Sequence, residues 1–230
     1  MAPKQRVLSH FAFFTFADAY WALPPDERRD VGARLLEGVR RTGAHVEVYR
    51  VFPARGDTDF LVWSSVVAED PCAAATFFRQ YAQAVEGERH VVRPTLTLWG
   101  FTKPSIYTRS DRSPQELDPF AGERKTYLIV YPFVKTAEWY LMSRDARQGM
   151  MNEHIRIGRQ YPEITQLLLY SFGLQDQEFI VVYETEDLAH FSDLVMELRS
   201  SEARRFTERD TPIFTAVHDP AVLGGEASRP

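Results

Sequence analysis

The 230-residue chain has little of several things that would narrow its function. It has a single cysteine, Cys72, so it forms no internal disulfide, which is usual for proteins of a reducing cytosol. Apolar runs are short as well: the most apolar segment near the start, residues 7–17, is broken by Ser9 and His10. We therefore expect a cytoplasmic protein that has no membrane-spanning segment.

A concentrated positive charge is also missing. The formal net charge is −5, and lysine and arginine form no long run. This disfavours nucleic acid as a partner. The chain also lacks glycine-rich phosphate loops, a nucleophile elbow and an H-E-x-x-H zinc motif, so no common short motif assigns a reaction.

What the chain does have is an internal repeat of predicted elements. Apolar residues make up 44% and charged residues 26%, which is typical of a globular protein. Alternating apolar patterns predict strands, and periodic stripes with proline or glycine at their ends predict helices. The first unit has predicted strands at 7–17, 45–52, 58–68 and 91–101, with helices at 23–43 and from Asp70 onward. The second has predicted strands at 126–134, 163–173, 178–185 and 211–218, with helices at 136–160 and 188–198.

The element order β-α-β-β-α-β, repeated, predicts an α+β fold of two ferredoxin-like halves. Because both faces of each sheet are partly apolar, we expect the sheets to pack together in a dimeric α+β barrel. The predicted domains are an N-terminal half (1–103), a linker over the surface (104–124) and a C-terminal half (125–218). Residues 219–230 are predicted to be a frayed tail.

One histidine in the predicted helix 136–160 invites a functional interpretation. His154 shares the inner helical stripe with Met150 and Ile157, and Gly158 one turn later leaves room for a flat ring. From spacing alone, a core histidine bonded to a protein group is the better supported interpretation. The alternative is an axial metal ligand. Because no second histidine or cysteine stands at ligand spacing, such a metal would arrive in a macrocycle.

The strand YLIVYPFVK carries a second candidate pair. Tyr131 and Lys135 share one strand face, with Phe133 between them, and Pro132 indicates an edge or a distortion. Taken alone, this pattern favours a core aromatic and a solvated lysine.

Several runs together resemble the chlorite dismutase family, which includes the bacterial coproheme decarboxylases. The runs are YLIVYPFVKTAEWY, MMNEHIRIGRQYP, YSFGLQDQEF and DLVMELRSSEARRFTERDTPIF, with TKPSIYTR in the first half. The resemblance implies two ferredoxin-like halves and a homo-oligomer, often a pentamer. It also implies one haem-type ligand in the C-terminal half, either haem b or iron-coproporphyrin III.

The resemblance also implies roles for individual residues. His154 matches the proximal iron ligand, and Glu202 in SSEARR matches an acid that orients its imidazole. Tyr131 matches the tyrosine that coproheme decarboxylases use as a radical relay. Lys135 matches the nearby lysine, which would position the reacting propionate as a point charge, and Trp139 matches a pocket tryptophan.

Four further positions complete the implied ring-binding site. Tyr107 in SIYTR resembles a tyrosine that contacts a propionate, and Met150 is expected to lie against the ring. Chlorite dismutases carry a distal arginine thirteen positions after the histidine, where this chain has Leu167. Its neighbour Gln166 is the alternative distal residue, as in some decarboxylases. Without a distal cation, chlorite turnover is disfavoured.

The resemblance therefore implies an oxidoreductase of haem biosynthesis. The expected reaction is the oxidative decarboxylation of iron-coproporphyrin III to protohaem, with the porphyrin and hydrogen peroxide as partners. A chlorite dismutase or haem peroxidase is the first alternative. A non-catalytic haem-binding protein is the second.

Overall fold

The architecture comes from a computed structural model that describes residues 5–104, 107 and 113–223. The strands are β1 (Val7–Phe16), β2 (His45–Arg50), β3 (Phe60–Val67), β4 (Val92–Thr102), β5 (Tyr127–Lys135), β6 (Thr165–Tyr170), β7 (Phe179–Thr185), β8 (Thr207–Arg209) and β9 (Phe214–His218). The helices are α1 (Asp18–Trp21), α2 (Pro25–Arg40), α3 (Ala73–Glu86), α4 (Ala137–Leu141), α5 (Arg144–Gly158) and α6 (Leu188–Arg199), with 3-10 turns at Glu202–Phe206 and Pro220–Leu223.

One predicted helix is divided in two. The single helix expected over 136–160 breaks between α4 and α5, because Met142 adopts an extended conformation (φ −68°, ψ 153°). Ser143 then caps the start of α5, and its side chain accepts a hydrogen bond from the backbone N–H of Ala146. The break gives the helix that carries His154 its own direction.

Eight strands form a closed antiparallel ring. Their order is β7-β6-β4-β1-β3-β2-β9-β5, and β5 pairs again with β7 to close it. The two halves meet at two short seams. One joins β2 to β9, and the other joins β4 to β6 through Phe101 opposite Tyr170 and Thr102 opposite Leu169. This confirms the dimeric α+β barrel that the repeat predicts.

Strand alternation divides the apolar residues between the barrel interior and two outer layers. Inward-facing side chains from both halves fill the interior, where the Phe13 and Phe214 rings lie 3.9 Å apart between centroids. Outside, α2 and α3 cover the N-terminal half. Residues of α5 and α6 cover part of the C-terminal half through Ile157 and Leu194.

Two connecting segments are more deeply integrated than predicted. The linker does not simply lie over the surface, because Leu117 is buried in the barrel interior and the Arg124 side chain is fully buried. The frayed-tail prediction is wrong for residues 219–223, because the last 3-10 turn buries Leu223 against the N-terminal helices. Residues 224–230 lie outside the described residues. Within the described part of the chain, no helix is long and apolar enough to cross a membrane.

Candidate functional site

Tyr131 and Lys135 of β5 and His154 of α5 are associated with the outer face of β5 and β7. Leu128 and Val130 point into the barrel, so Tyr131 points outward, as strand alternation predicts. The Tyr131 ring stacks on that of Tyr183 with 6.4 Å between centroids. Pro132 lies between the stretch of β5 that pairs with β9 and the stretch that pairs with β8, and it pairs in regular register with Ile180 of β7. The irregularity of β5 comes later, between Val134 and Lys135.

Helix α5 covers this face incompletely. Ile157 is its buried residue and packs with Ile129 and Tyr183, whereas His154 and Met150 on the same stripe are half-buried. The corresponding helix of the other half, α2, buries six residues. The stripe of α5 that carries His154 is therefore less packed than its counterpart.

His154 is a neutral imidazole at physiological pH. Burial lowers its pKa to about 4, and the positive charge of Lys135 contributes in the same direction. Among the described residues it makes no recorded hydrogen bond, so a core histidine with a protein partner is not supported there. A neutral ring nitrogen of this kind suits a metal ligand.

Lys135 lies in an aromatic setting beside this histidine. Its Nζ donates a hydrogen bond to the carbonyl oxygen of Ala203 at 3.1 Å and lies 4.3 Å from the centre of the Trp139 ring. Trp139 is buried and packs on Phe206. Burial, followed by the nearby Arg204, lowers the pKa of Lys135 to about 8. The ammonium is thus partly desolvated and is available to a carboxylate.

Tyr131 keeps its proton throughout the physiological range. Burial raises its pKa well above the ordinary value, and the hydrogen-bonded neighbour Tyr183 and the carboxylate of Asp210 raise it further. Asp210 is itself paired with Arg204 at 2.6 Å and Arg199 at 3.2 Å. The phenol O–H is therefore held at a buried position within a network of charges.

A second group of polar residues adjoins the site, and the sequence did not predict its centre, Glu178. The Glu178 carboxylate accepts hydrogen bonds from the Lys135 backbone N–H at 2.9 Å and from the Tyr140 hydroxyl. Tyr107 is close enough to raise the pKa of both Tyr140 and Tyr170. Gln148 of α5 also donates to the Tyr107 carbonyl at 3.1 Å. Tyr107 thus lies at the edge of the predicted site.

The distal position requires a correction. Leu167 is buried in the barrel interior, so the expectation that it lines the ring-binding site is wrong in this structure. Besides Tyr170 at its end, the side chains of β6 that share the outer face are Gln166, opposite Tyr183, and Leu168, opposite Val181. Both are exposed, which leaves Gln166 and Leu168 as distal candidates.

Glu202 stands apart from His154. Its carboxylate pairs with Arg205 at 3.3 Å, and its backbone N–H donates to Glu153 at 3.2 Å. No hydrogen bond to His154 is recorded within the described residues. The predicted role of Glu202 in orienting the imidazole stays a prediction.

The donor set fits a ring-borne metal better than a bare ion. Within the described ranges there is no group of three or more His, Cys, Asp or Glu side chains that could hold a metal. One neutral imidazole, a lysine and an aromatic wall would instead supply one axial ligand and contacts for a flat, carboxylate-bearing macrocycle.

Comparisons with known proteins identify the class. The sequence profile of the chlorite dismutase family matches residues 26–218. The chain is 31% identical to a coproheme decarboxylase from Mycolicibacterium smegmatis, over 90% of this chain and 89% of that protein. The chain therefore belongs to the chlorite dismutase family, as its sequence motifs indicate, and it is an enzyme of that family.

Two further matches are named chlorite dismutase. A chlorite dismutase from Ideonella dechloratans is 28% identical, over 63% of this chain and 52% of that protein. The structure of chlorite dismutase from Candidatus Nitrospira defluvii in complex with imidazole matches with a TM-score of 0.80 and 26% identity, covering 94% and 93% of the two chains. The fold is therefore that of the family.

Proposed function

We propose that this protein binds iron-coproporphyrin III between α5 and the outer face of β5–β7 and decarboxylates it oxidatively to protohaem, using hydrogen peroxide. The observation that carries the proposal is the grouping of His154, Lys135 and Tyr131 at one incompletely packed face. The 31% identity to a coproheme decarboxylase over most of both chains supports the same reaction. The peroxide, the homopentamer and the cytoplasmic location implied by the resemblance stay predictions.

His154 would hold the ring iron through a neutral nitrogen. Because its pKa is lowered to about 4, the lone pair stays available at all physiological pH values. The iron, when bound, supplies the site for peroxide-dependent oxidation, and the protein supplies placement and electrostatics.

Lys135 and Tyr131 would act on the propionate. The ammonium, partly desolvated against Trp139, pairs with the carboxylate and holds the chain beside Tyr131. The Tyr131 phenol, oxidised by one electron with loss of its proton, takes a hydrogen atom from the propionate chain. Loss of a second electron releases carbon dioxide and leaves a vinyl group. The two electrons and two protons removed from each propionic acid group reduce one hydrogen peroxide to two waters.

The outer face of β6 favours this reaction over chlorite turnover. Its outward side chains near the site are Gln166 and Leu168, which carry no charge to hold a chlorite anion. Chlorite turnover is the alternative function, because one relative of the chain is a chlorite dismutase.

The decisive experiment loads the full chain with iron-coproporphyrin III, titrates it with hydrogen peroxide and follows the ring by mass spectrometry. Wild type should lose carboxyl groups in a stepwise manner. Tyr131→Phe keeps the packing and should cost only about 1 kcal/mol of stability, yet propionate loss should stop. His154→Ala should stay folded and lose the axial-ligand signature of the Soret band.

Each outcome bears on a different part of the proposal. Equal rates of propionate loss in wild type and Tyr131→Phe would make Tyr131 a structural aromatic. A ring that binds to both proteins but keeps its propionates would favour the non-catalytic haem-binding alternative. An unchanged spectrum in His154→Ala would exclude His154 as the ligand.

A further inference from the structure

The linker between the two halves contacts both sides of the candidate site through one residue, Gln115. Its side-chain Nε2 donates to the backbone carbonyl oxygens of Gly158 at 3.0 Å, Tyr161 at 2.8 Å and Ile164 at 3.1 Å. A primary amide has two N–H groups, so one of them is shared between two carbonyls. These carbonyls belong to the C-terminal end of α5 and to the turn that leads into β6.

The backbone of the same segment pairs with β6 at the distal candidate. The Gln166 N–H donates to the Gln115 carbonyl at 2.8 Å, and the Leu117 N–H donates to the Gln166 carbonyl at 2.9 Å. Leu117 anchors the segment in the barrel interior. Residues 115–117 therefore bind β6 and the end of α5 at the same time.

This connection matters because α5 has few deeply buried anchors. Ile157 is its one buried residue among those described, and the hydrogen bonds of Gln148 and Glu153 are made at partly buried or exposed positions. Gly158 follows His154 by one helical turn, so a shift of the helix end moves the imidazole with it. Gln115 adds a second hydrogen bond to the carbonyls of Gly158 and Tyr161, which already accept from the backbone N–H groups of Tyr161 and Ile164.

We propose that Gln115 is a positioning residue: through α5 and β6 it sets the distance and tilt between the His154 imidazole and the strand that carries Gln166. The inference rests on the proposed function, because it assumes that the ring lies between these two elements. Gln115 itself touches neither the iron nor the reacting propionate in this role.

The test compares four full-length proteins in absorption and EPR titrations with iron-coproporphyrin III. Gln115→Met keeps the length of the side chain and removes its donors. Gln115→Lys restores N–H donors at the negative end of the helix. Gln175→Met is the matched control, because Gln175 also hydrogen-bonds backbone groups, those of Trp99 and Thr97, at a distance from α5 in the sequence.

We expect Gln115→Met to weaken binding about tenfold, the lower end of the effect of groups that orient a metal ligand. Its Soret band and EPR signals should broaden, because the axial geometry becomes heterogeneous. Gln115→Lys should be close to wild type, and Gln175→Met should lower thermal stability without changing the spectra. If Gln115→Met fails to fold, Gln115→Asn, which keeps the amide on a shorter stem, should give an intermediate shift.

Three results would overturn the inference. The first is that Gln115→Met or Gln115→Asn has the spectra and the affinity of wild type. The second is that Gln115→Met and Gln175→Met show equal spectral changes. The third is that Gln115→Lys does not recover the wild-type spectra and affinity. Failure of the proposed function is a separate result. It shows itself when wild type and His154→Ala bind the ring with identical spectra, and it removes the basis of this inference too.

Discussion

The Nζ atom of Lys135 lies 4.3 Å from the centre of the Trp139 ring, and its recorded hydrogen bond goes to the carbonyl of Ala203. An ammonium group has three N–H donors, so this arrangement leaves donors for an incoming carboxylate. The aromatic ring holds the cation by cation–π attraction and keeps water from one side of it. In the proposed function, Lys135 would bind one carboxylate of the ring.

The first prediction concerns the pH dependence of ring binding. Burial and Arg204 lower the pKa of Lys135 to about 8, so the amine is charged below that pH and neutral above it. Affinity for iron-coproporphyrin III should fall as pH rises through this region, by about fivefold, equivalent to about 1 kcal/mol for a partly exposed ion pair. Titrations of the folded protein from about pH 7 to about pH 10 measure it. Lys135→Gln should bind the ring weakly, and its affinity should not change across that pH range. If the affinity of the variant falls with pH as steeply as that of wild type, another group causes the pH dependence.

The second prediction concerns chlorite. Because Gln166 and Leu168 place no cation on the outer face of β6, oxygen release from chlorite should be slow or absent. An oxygen electrode with the haem-loaded protein measures this directly. Gln166→Arg adds a guanidinium on the same face and should raise the affinity for chlorite. Sustained, rapid oxygen release by the unmodified protein would contradict the prediction.

The third prediction concerns acid stability and a histidine outside the site. His10 is 5% exposed among the rings of Phe77 and Tyr81, and burial lowers its pKa to about 4. Between about pH 4 and the unfolded value of 6.5, the unfolded chain binds the proton more readily, so stability falls as pH falls through this window. Near pH 4.5 the loss from this residue should be about 2 to 3 kcal/mol.

Urea unfolding of the ligand-free protein at two pH values tests this loss. His10→Leu should lose less stability on acidification than wild type by about that amount. His154→Ala is the matched comparison, because the lowered pKa of His154 acts in the same direction. An unchanged pH dependence in His10→Leu would show that His10 does not control acid unfolding.

The fourth prediction concerns the charge buried at one end of the barrel. The Arg124 side chain is fully buried over the Trp63 ring, and its nitrogens lie 3.7 Å from both Glu47 of β2 and Glu184 of β7. Arg124→Met leaves the buried Glu184 without its cation, whereas Glu47 keeps His45 and His218, and should cost about 3 kcal/mol in unfolding free energy. Adding Glu184→Gln should recover part of that loss. A cost below about 1 kcal/mol would mean that the interactions of Arg124 with Glu47 and Glu184 contribute little net stability.

The order of elements was predictable because each strand and helix has its own local period. The faces of Tyr131 and Lys135 followed from alternation in β5, and the stripe of His154 followed from helical spacing. The helical pattern does not predict the break at Met142, although Ser143 is a residue type that begins helices. The predicted helix ran through it because the apolar spacing continued across the cap.

The distal side and the linker were harder to predict, for physical reasons. The spacing from His154 that the family resemblance implies points to Leu167, yet strand alternation turns it inward and turns Gln166 and Leu168 outward. Gln115 reaches Gly158 across 43 positions and Glu178 reaches Lys135 across the same separation, so no local pattern records either contact. Such contacts depend on how the strands, helices and linker pack in the tertiary structure.

Closure of the ring has a consequence for how the chain avoids association with itself. Each of its eight strands has a neighbour on both sides, so the ring offers no open edge to pair with another molecule. The seams β2–β9 and β4–β6 are short, however, each with two residue pairs. If the halves were made as separate chains, β2 and β4 in one and β6 and β9 in the other would become open edges. Covalent connection of the halves therefore keeps these four edges opposite one another.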